Sequence, residues 1–376
     1  KSLLWQSFTE VLKDNFYKLM LFKKYLGIAP GIILAFVLYT LSQGLNNIIG
    51  IELLGYAKSP ISTAMIAILI GIVLGNIFRM REGFLIGIDF TQKYILKLGI
   101  ICLGIQLKPF EFIKFGTVAI PLIIVCIISV LVVVKLLIKK LKISTRMAYL
   151  ISIGSTVCGT TAIMATAPVI KANKGEVAYA IANITVFGIF SMLVYPYFAN
   201  IYFNGDPLFV GLFLGTAIHE TSQVAAAGLI YDQQFNSPET LNIATVTKLI
   251  RNTFLVIMIP LFAFLYNRNT AKIKNYSLLD IFPYFVLGFI GMIIFRNIGD
   301  QVFFNESSQV IWQNSVSIIK DSAKVFLSMA MAAVGLSTNL KDIKSMGYKP
   351  FIVGFIAMIT VGLVSIITIQ SFIKLF

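Results

Sequence analysis

Two short stretches decide how the chain can fold: GSTVCGTT at 154–161 and GTAIHETS at 215–222. Each starts with a glycine and a hydroxyl residue, carries a polarisable residue at its fifth position and ends in two hydroxyl residues. Each is followed by a segment rich in small residues, at 162–167 and 225–228. Irregular polar backbone is tolerated at membrane depth only where it is buried in protein or lines a wet cavity. Both stretches are therefore expected to line such a cavity.

The composition around these stretches predicts a membrane protein. Of 376 residues, 58% are hydrophobic and 12% are charged, and the mean hydropathy is +0.88. Repeated apolar runs long enough to cross a bilayer predict an all-α polytopic membrane protein with about 9–11 transmembrane helices. Beside the two motif segments at 147–170 and 207–231, the expected spans are 29–50, 60–78, 84–107, 116–138, 177–200, 241–266, 279–296, 310–337 and 351–373.

Loop charges predict the orientation, since Lys and Arg accumulate in short cytoplasmic loops. One set of loops (1–28, 79–83, 139–146, 267–277, 340–350) holds 17 Lys and Arg, and the opposite set (51–59, 108–115, 201–206, 231–240, 297–309) holds 3. The N-terminus is therefore expected in the cytoplasm. This distribution also accounts for the net charge of +15 without nucleic acid as a partner.

The same charges predict how the two motifs enter the membrane. The loop at 171–176 carries Lys171 and Lys174, which favours a re-entrant hairpin from the cytoplasm at 147–170 and one from outside at 207–231. In the alternative, both segments span as discontinuous helices. Either form is typical of transporters built from inverted repeats.

The domain organisation follows from the same patterning. Residues 1–28 mix aromatic and aliphatic residues with lysines, which predicts an interfacial amphipathic helix, with a plain extra-membrane helix as the alternative. Residues 29–376 are expected to form a single transmembrane transporter domain.

Ionisable residues inside the expected spans are costly and indicate a pathway. Lys248 and Arg251 lie three residues apart on one helix face, although snorkelling to the interface would also explain them. Basic residues in such positions outnumber acidic ones, which favours an anion as the ligand. The basic set is Lys93, Lys97, Lys248, Arg251, Lys320 and Lys324, and the acidic set is Asp89, Glu220 and Asp321.

The second motif alone carries titratable groups. His219 is the only histidine and stands beside Glu220, so either is a candidate for proton or ion coupling. The predicted substrate-binding residues are the hydroxyls and basic groups of the motifs and the 241–266 span, together with Cys158, for which packing is the other interpretation. They are Ser155, Thr156, Cys158, Thr160, Thr161, Thr221, Ser222, Thr247, Lys248 and Arg251. The three cysteines lack zinc-type spacing, and no metal or cofactor is expected.

The motifs together resemble the YeiH-type sulfate exporter family. They are GSTVCGTTAI at 154–163 with APVIK at 167–171, EVAYAI at 176–181, GTAIHETSQVAAAG at 215–228, TKLIR at 247–251 and MAAVGLSTNL at 331–340. The resemblance implies a bacterial inner-membrane protein with inverted repeats around discontinuous helices. Thr160, Thr161 and Glu220 depart from the family's usual pattern, which puts the exact substrate in doubt.

The leading hypothesis is a secondary active transporter, not an enzyme, that moves a small anion (sulfate, a sulfonate or a related oxyanion) by alternating access with proton coupling. A Na⁺-coupled symporter of an organic anion is the alternative within transport. A non-transporting membrane sensor or a membrane enzyme is the alternative from another class. The expected partners are the anion and the lipid bilayer, and a homodimer is left open.

Overall fold

All regular elements in the described part of the chain are helical. The computed structural model describes residues 27–53, 62–78, 80–141, 143–267, 284–303, 305–338 and 348–373. Among these, six helices are long and apolar enough to cross a membrane by length and composition. The predicted all-α polytopic class is confirmed. The amphipathic helix predicted for 1–28 lies, up to residue 26, outside the described residues.

The helices follow in this order: α1 Gly27–Asn47, α2 Thr63–Ile77, α3 Glu82–Phe90, α4 Leu96–Leu103, α5 Pro109–Leu141, α6 Thr145–Thr156, α7 Thr160–Thr166, α8 Lys174–Tyr202, α9 Pro207–Ala217, α10 Thr221–Phe235, α11 Pro238–Thr253, α12 Leu255–Asn267, α13 Phe285–Val302, α14 Glu306–Ser337 and α15 Tyr348–Ile373. A π-helical turn at Thr91–Ile95 joins α3 to α4. The predicted 84–107 span is therefore an interrupted helix.

The first motif forms a helical hairpin with arms α6 and α7. Near the base, Arg146 donates to Lys171 O at 2.9 Å, and near the tip Gly154 packs against Ile163. These pairs show that the two arms run antiparallel. The tip is Val157–Gly159, where Gly159 adopts a φ of 68° that side-chain-bearing residues rarely adopt.

The second motif forms a second hairpin with arms α9 and α10. Gly211 packs against Ile243 and Gly215 against Thr247, so α9 runs parallel to α11. In contrast, Gly228 packs against Leu241, near the start of α11, so α10 runs antiparallel to it. The two arms therefore point in opposite directions, with 218–220 at the tip.

The two hairpins start from opposite ends of α8. A capping box of Asn173 and Glu176 begins α8 just after the first hairpin, and Ser144 at the base of that hairpin donates to Glu176 at 2.6 Å. At the other end, the Asp206 side chain accepts the N–H groups of Leu208 and Phe209 and begins α9. Entry of the hairpins from opposite faces of a bilayer, as re-entrant segments, stays a prediction.

A second group of helices, α1 to α4 with α13 and α14, packs through small residues. At the α2–α14 crossing, a Cβ on Gly71 would lie 2.6 Å from Ala332 O, and Gly335 is equally close to the α2 backbone. Close backbone approach at glycine is a usual way for membrane helices to associate. Two contacts join this group to the second hairpin: Lys324 pairs with Asp232 at 2.7 Å, and Ala64 N–H donates to Gln233 at 3.1 Å.

The α2–α14 crossing can be tested with Gly71→Ala. The added methyl has no room beside Ala332 O, so we expect a loss of roughly 1–3 kcal/mol in stability, as for other overpacked sites. Gly291→Ala on α13 is the matched control, because nothing lies within 4 Å of a Cβ there. Thermal unfolding in detergent should show a lower midpoint for Gly71→Ala alone. Equal midpoints would contradict the close crossing.

Candidate functional site

The tips of the two hairpins meet beside the middle of α8. The Thr160 N–H, at the start of α7, donates to Glu220 Oε1 at 3.1 Å. Gly159 lies so close to the Glu220 side chain that a Cβ would overlap it. Gln223 packs against Gly188 and accepts the Glu220 N–H at 3.2 Å. The crossing, defined as 155–161 and 216–223, therefore joins the two motifs that the sequence singled out.

Lys248 on α11 binds the backbone of both tips. Its Nζ donates to Val157 O at 2.8 Å, to Ile218 O at 3.1 Å and to His219 O. An ammonium group has three donors, so these bonds use its full capacity. The side chain is 0% exposed.

Arg251, one turn further along α11, binds the ends of the two entering arms. Its Nε donates to Thr156 O at 2.6 Å and its Nη2 to Ser155 O, at the end of α6. Its Nη1 donates to Thr216 O at 2.7 Å and Ile218 O at 3.0 Å, at the end of α9. Four of the five guanidinium donor sites are thus occupied by carbonyls.

These contacts have a simple electrostatic cause. The last carbonyls of a helix have no partner within the helix and carry partial negative charge. Two such ends, α6 and α9, are buried against each other. Lys248 and Arg251 supply positive charge and hydrogen bonds to both, which offsets the cost of burying each group separately. Whether either side chain also contacts a substrate stays a prediction.

Burial divides the predicted site residues into two sets. The buried set packs behind the tips and consists of Ser155, Thr156, Cys158, His219, Thr247, Lys248 and Arg251. The accessible set keeps part of its surface exposed and consists of Thr160, Thr161, Glu220, Thr221 and Ser222. Glu220 is the only charged residue of the accessible set. The exposed part of the crossing therefore presents hydroxyls, helix starts and one carboxylate.

Two side chains outside the predicted set complete the crossing. Asn252 donates from Nδ2 to Thr221 Oγ1 at 3.0 Å and so connects α11 to the start of α10. Gln223 bridges the second tip to α8. In the sequence, Asn252 follows Arg251 and continues the polar stripe of Thr247 and Lys248, which could have indicated that it also faces the crossing. Within the described ranges, no group of three or more His, Cys, Asp or Glu residues is arranged to hold a metal ion.

Comparisons with known proteins agree on one family. The model of conserved hypothetical protein 698 matches residues 30–354. A UPF0324 membrane protein of Streptococcus agalactiae serotype V is 35% identical over 352 residues, which cover 94% of this chain and 98% of that protein. UPF0324 membrane proteins of Fusobacterium nucleatum and Clostridium tetani are 35% and 31% identical, over 80% and 92% of this chain and 88% and 97% of their own lengths. The predicted YeiH-type resemblance is confirmed, because that family is the same one.

The role of Lys248 can be tested with Lys248→Met. The change removes the cation from Val157 O and His219 O, while Ile218 O keeps its bond from Arg251, and each unsatisfied group costs about 1–3 kcal/mol. We expect a large drop in the thermal unfolding midpoint in detergent. Lys93→Met is the matched control, because Lys93 is 60% exposed and pairs only with Asp89 one turn away. Similar midpoints for the two variants would contradict the clamp.

Proposed function

The chain belongs to the UPF0324 family of membrane proteins, and from that premise we propose that it is a secondary active transporter. It moves a small anion by alternating access, with the crossing of the two hairpins as the centre of the transport path. The protein lies in the bacterial inner membrane with its N-terminus in the cytoplasm, as the loop charges favour.

One observation carries the proposal: two hairpins from opposite ends of α8 touch tip to tip at mid-length. A helix of 29 residues is about 43 Å long, and Gly188 beside Gln223 is its midpoint. Broken helices that meet near the midplane are the usual site of substrate and ions in secondary transporters. A small movement of the tips against the second helix group would open the site to one side and close it to the other.

The accessible set supports an anion as the substrate. α10 begins at Thr221 in the accessible set. The Glu220 side chain caps the Gln223 N–H, and the N–H groups of Thr221 and Ser222, which have no partner within the helix, favour negative charge. The carbonyl ends of α6 and α9, which would repel an anion, are held by Lys248 and Arg251 on the buried face. In this proposal, the hydroxyls of Thr160, Thr161 and Ser222 donate to an oxyanion. Sulfate, a sulfonate or a related oxyanion fits this set.

Glu220 supports proton coupling. Its carboxylate accepts the Thr160 N–H and stands where a substrate anion would also find donors. Two negative charges cannot share this position cheaply, so an anion binds best when Glu220 is protonated. Proton and anion then occupy the crossing together, and the pair is carried in one movement. In the Na⁺-coupled alternative, the ionised Glu220 and nearby hydroxyls hold the cation instead.

The test is anion flux in proteoliposomes under an imposed pH gradient, with Glu220→Gln as the variant. We expect the wild type to accumulate the anion against its gradient when protons flow with it. Glu220→Gln should keep downhill anion exchange, because a neutral side chain mimics the protonated state, but lose proton-driven accumulation. Glu82→Gln, at the exposed start of α3, is the matched control and should behave as wild type.

Three outcomes would decide against parts of the proposal. Accumulation that follows a Na⁺ gradient and ignores pH would favour the Na⁺-coupled symporter. Unchanged proton-driven accumulation in Glu220→Gln would remove Glu220 from coupling. No flux of any anion from a correctly folded wild type would reject transport in favour of a sensor or an enzyme.

A further inference from the structure

A separate polar cavity lies between the start of α11 and the second helix group. Its volume is about 440 Å³. The residues before and at the start of α5 form one wall, the start of α11 another, and α13 and α14 the remainder. On α11, Asn242 of this cavity precedes Lys248 by six residues, or about 9 Å. We call this space the α11–α14 cavity.

Lys320 is the charge at the inner wall of the α11–α14 cavity. It lies 14 residues after the start of α14 at Glu306, about 21 Å along the helix. The next basic residue, Lys324, pairs with Asp232, whereas Lys320 has no ion pair or hydrogen bond with any residue in the described ranges. The sequence predicts a span at 310–337, which would place Lys320 inside the membrane, where an ionisable side chain is expensive and indicates a functional site.

Three of the other charged residues of the α11–α14 cavity have partners or lie at a helix start. Arg296 pairs with Asp300 at 2.9 Å, and Asp300 also accepts the Trp312 Nε1–H at 2.8 Å. Glu111 accepts the Lys108 N–H at 3.0 Å at the start of α5. Glu239 lies in the first turn of α11, where negative charge is favoured. The Lys108 ammonium group also lines the cavity without an ion pair among the described residues, but Lys108 is exposed, so Lys320 is the partly buried cation available to a ligand.

Two amide side chains add hydrogen-bonding groups without partners. Asn242 is 6% exposed, and its Oδ1 has no partner among the described residues. Gln106 has a buried Nε2 that likewise lacks a partner in the described part of the chain. Buried polar atoms normally have a hydrogen-bond partner, so these two residues leave unpaired polar atoms in the walls of the cavity, behind its accessible surface.

The remaining walls are apolar. Leu107, Phe115 and Val316 are 2%, 6% and 8% exposed and line the same cavity. A bare divalent oxyanion would lose its hydration shell against these side chains and gain one partly buried ammonium group, that of Lys320. A monoanion with a short hydrocarbon group loses less hydration and gains contact with the apolar walls.

We propose that the α11–α14 cavity binds a small organic monoanion, of the short-chain sulfonate type, on its way to the crossing. Lys320 Nζ donates to the oxyanion head, and Leu107, Phe115 and Val316 pack on the hydrocarbon part. This inference rests on the proposed transport function. It makes Lys320, rather than Lys248 or Arg251, the cation that meets the substrate.

The test is binding of 1-propanesulfonate and of sulfate to the purified full chain in detergent, at constant ionic strength. We expect saturable binding of propanesulfonate and at least tenfold weaker binding of sulfate. Lys320→Gln should weaken propanesulfonate binding at least tenfold, and Lys320→Arg should keep it within threefold. Lys93→Gln is the matched control, because Lys93 pairs with Asp89 outside the cavity, and it should bind as wild type.

Size-exclusion profiles of all variants verify folding, and Lys320→Arg keeps the test valid if Lys320→Gln is unstable. The proposal is overturned if Lys320→Gln binds as wild type, if Lys320→Arg fails to bind while folded, or if sulfate binds as tightly as propanesulfonate. Proteoliposome flux separates this failure from failure of the transport proposal. Flux that persists in Lys320→Gln but depends on Glu220 rejects only the cavity, whereas a wild type without flux rejects transport.

Discussion

The hydrogen bonds from Lys248 and Arg251 to the carbonyl ends of two hairpins are the constraint on which the centre of this protein depends. Two broken helices cannot end inside a membrane protein without exposing unpaired carbonyls to a low-dielectric interior. Placing both positive groups on one continuous helix, α11, solves this for both hairpins at once. The same bonds fix the position of each tip, because every donor is aimed at the backbone rather than at a side chain.

The buried residues of the crossing hold the two tips in place, whereas the exposed ones are those that we propose for transport. The buried face of the crossing holds the cations, His219 and the hydroxyls of Ser155 and Thr156. The reachable face holds Glu220 and the start of α10. Because Lys248 and Arg251 donate to backbone carbonyls, a solute bound at the accessible set would meet one carboxylate, that of Glu220, and neutral donors. That combination suits an anion whose binding depends on a proton, which is the reason we assign coupling to Glu220.

In the proposed transport cycle, the crossing moves relative to the second helix group. Its α2–α14 contact is a backbone-to-backbone approach at glycine. Its contacts with the second hairpin include the Lys324–Asp232 pair and the Ala64–Gln233 bond, both near the base of that hairpin. The α11–α14 cavity lies between α11 and the second helix group. A movement of that group relative to α11 would therefore change the contacts of a solute bound beside Lys320.

The sequence by itself determined the helical membrane class, because apolar runs of bilayer length have few other stable forms. It also determined that 154–161 and 215–222 belong together, since glycine and hydroxyl residues are conspicuous among apolar spans. It favoured an interior position for Lys248 and Arg251 over snorkelling to the interface, and the structure shows both side chains buried. Hydropathy and loop charge are local or additive properties of a sequence, so they can be evaluated without knowing which segments pack together.

Only the tertiary structure decided what each interior charge binds. Lys248 reaches carbonyls 91, 30 and 29 residues away, and Lys324 finds Asp232 on another helix, whereas Lys320 finds no described partner. In the sequence, these three lysines look alike, because spacing within one helix does not reveal which backbone ends pack against it. The distinction between a lysine that holds the fold and one that is free for a ligand arises from long-range packing.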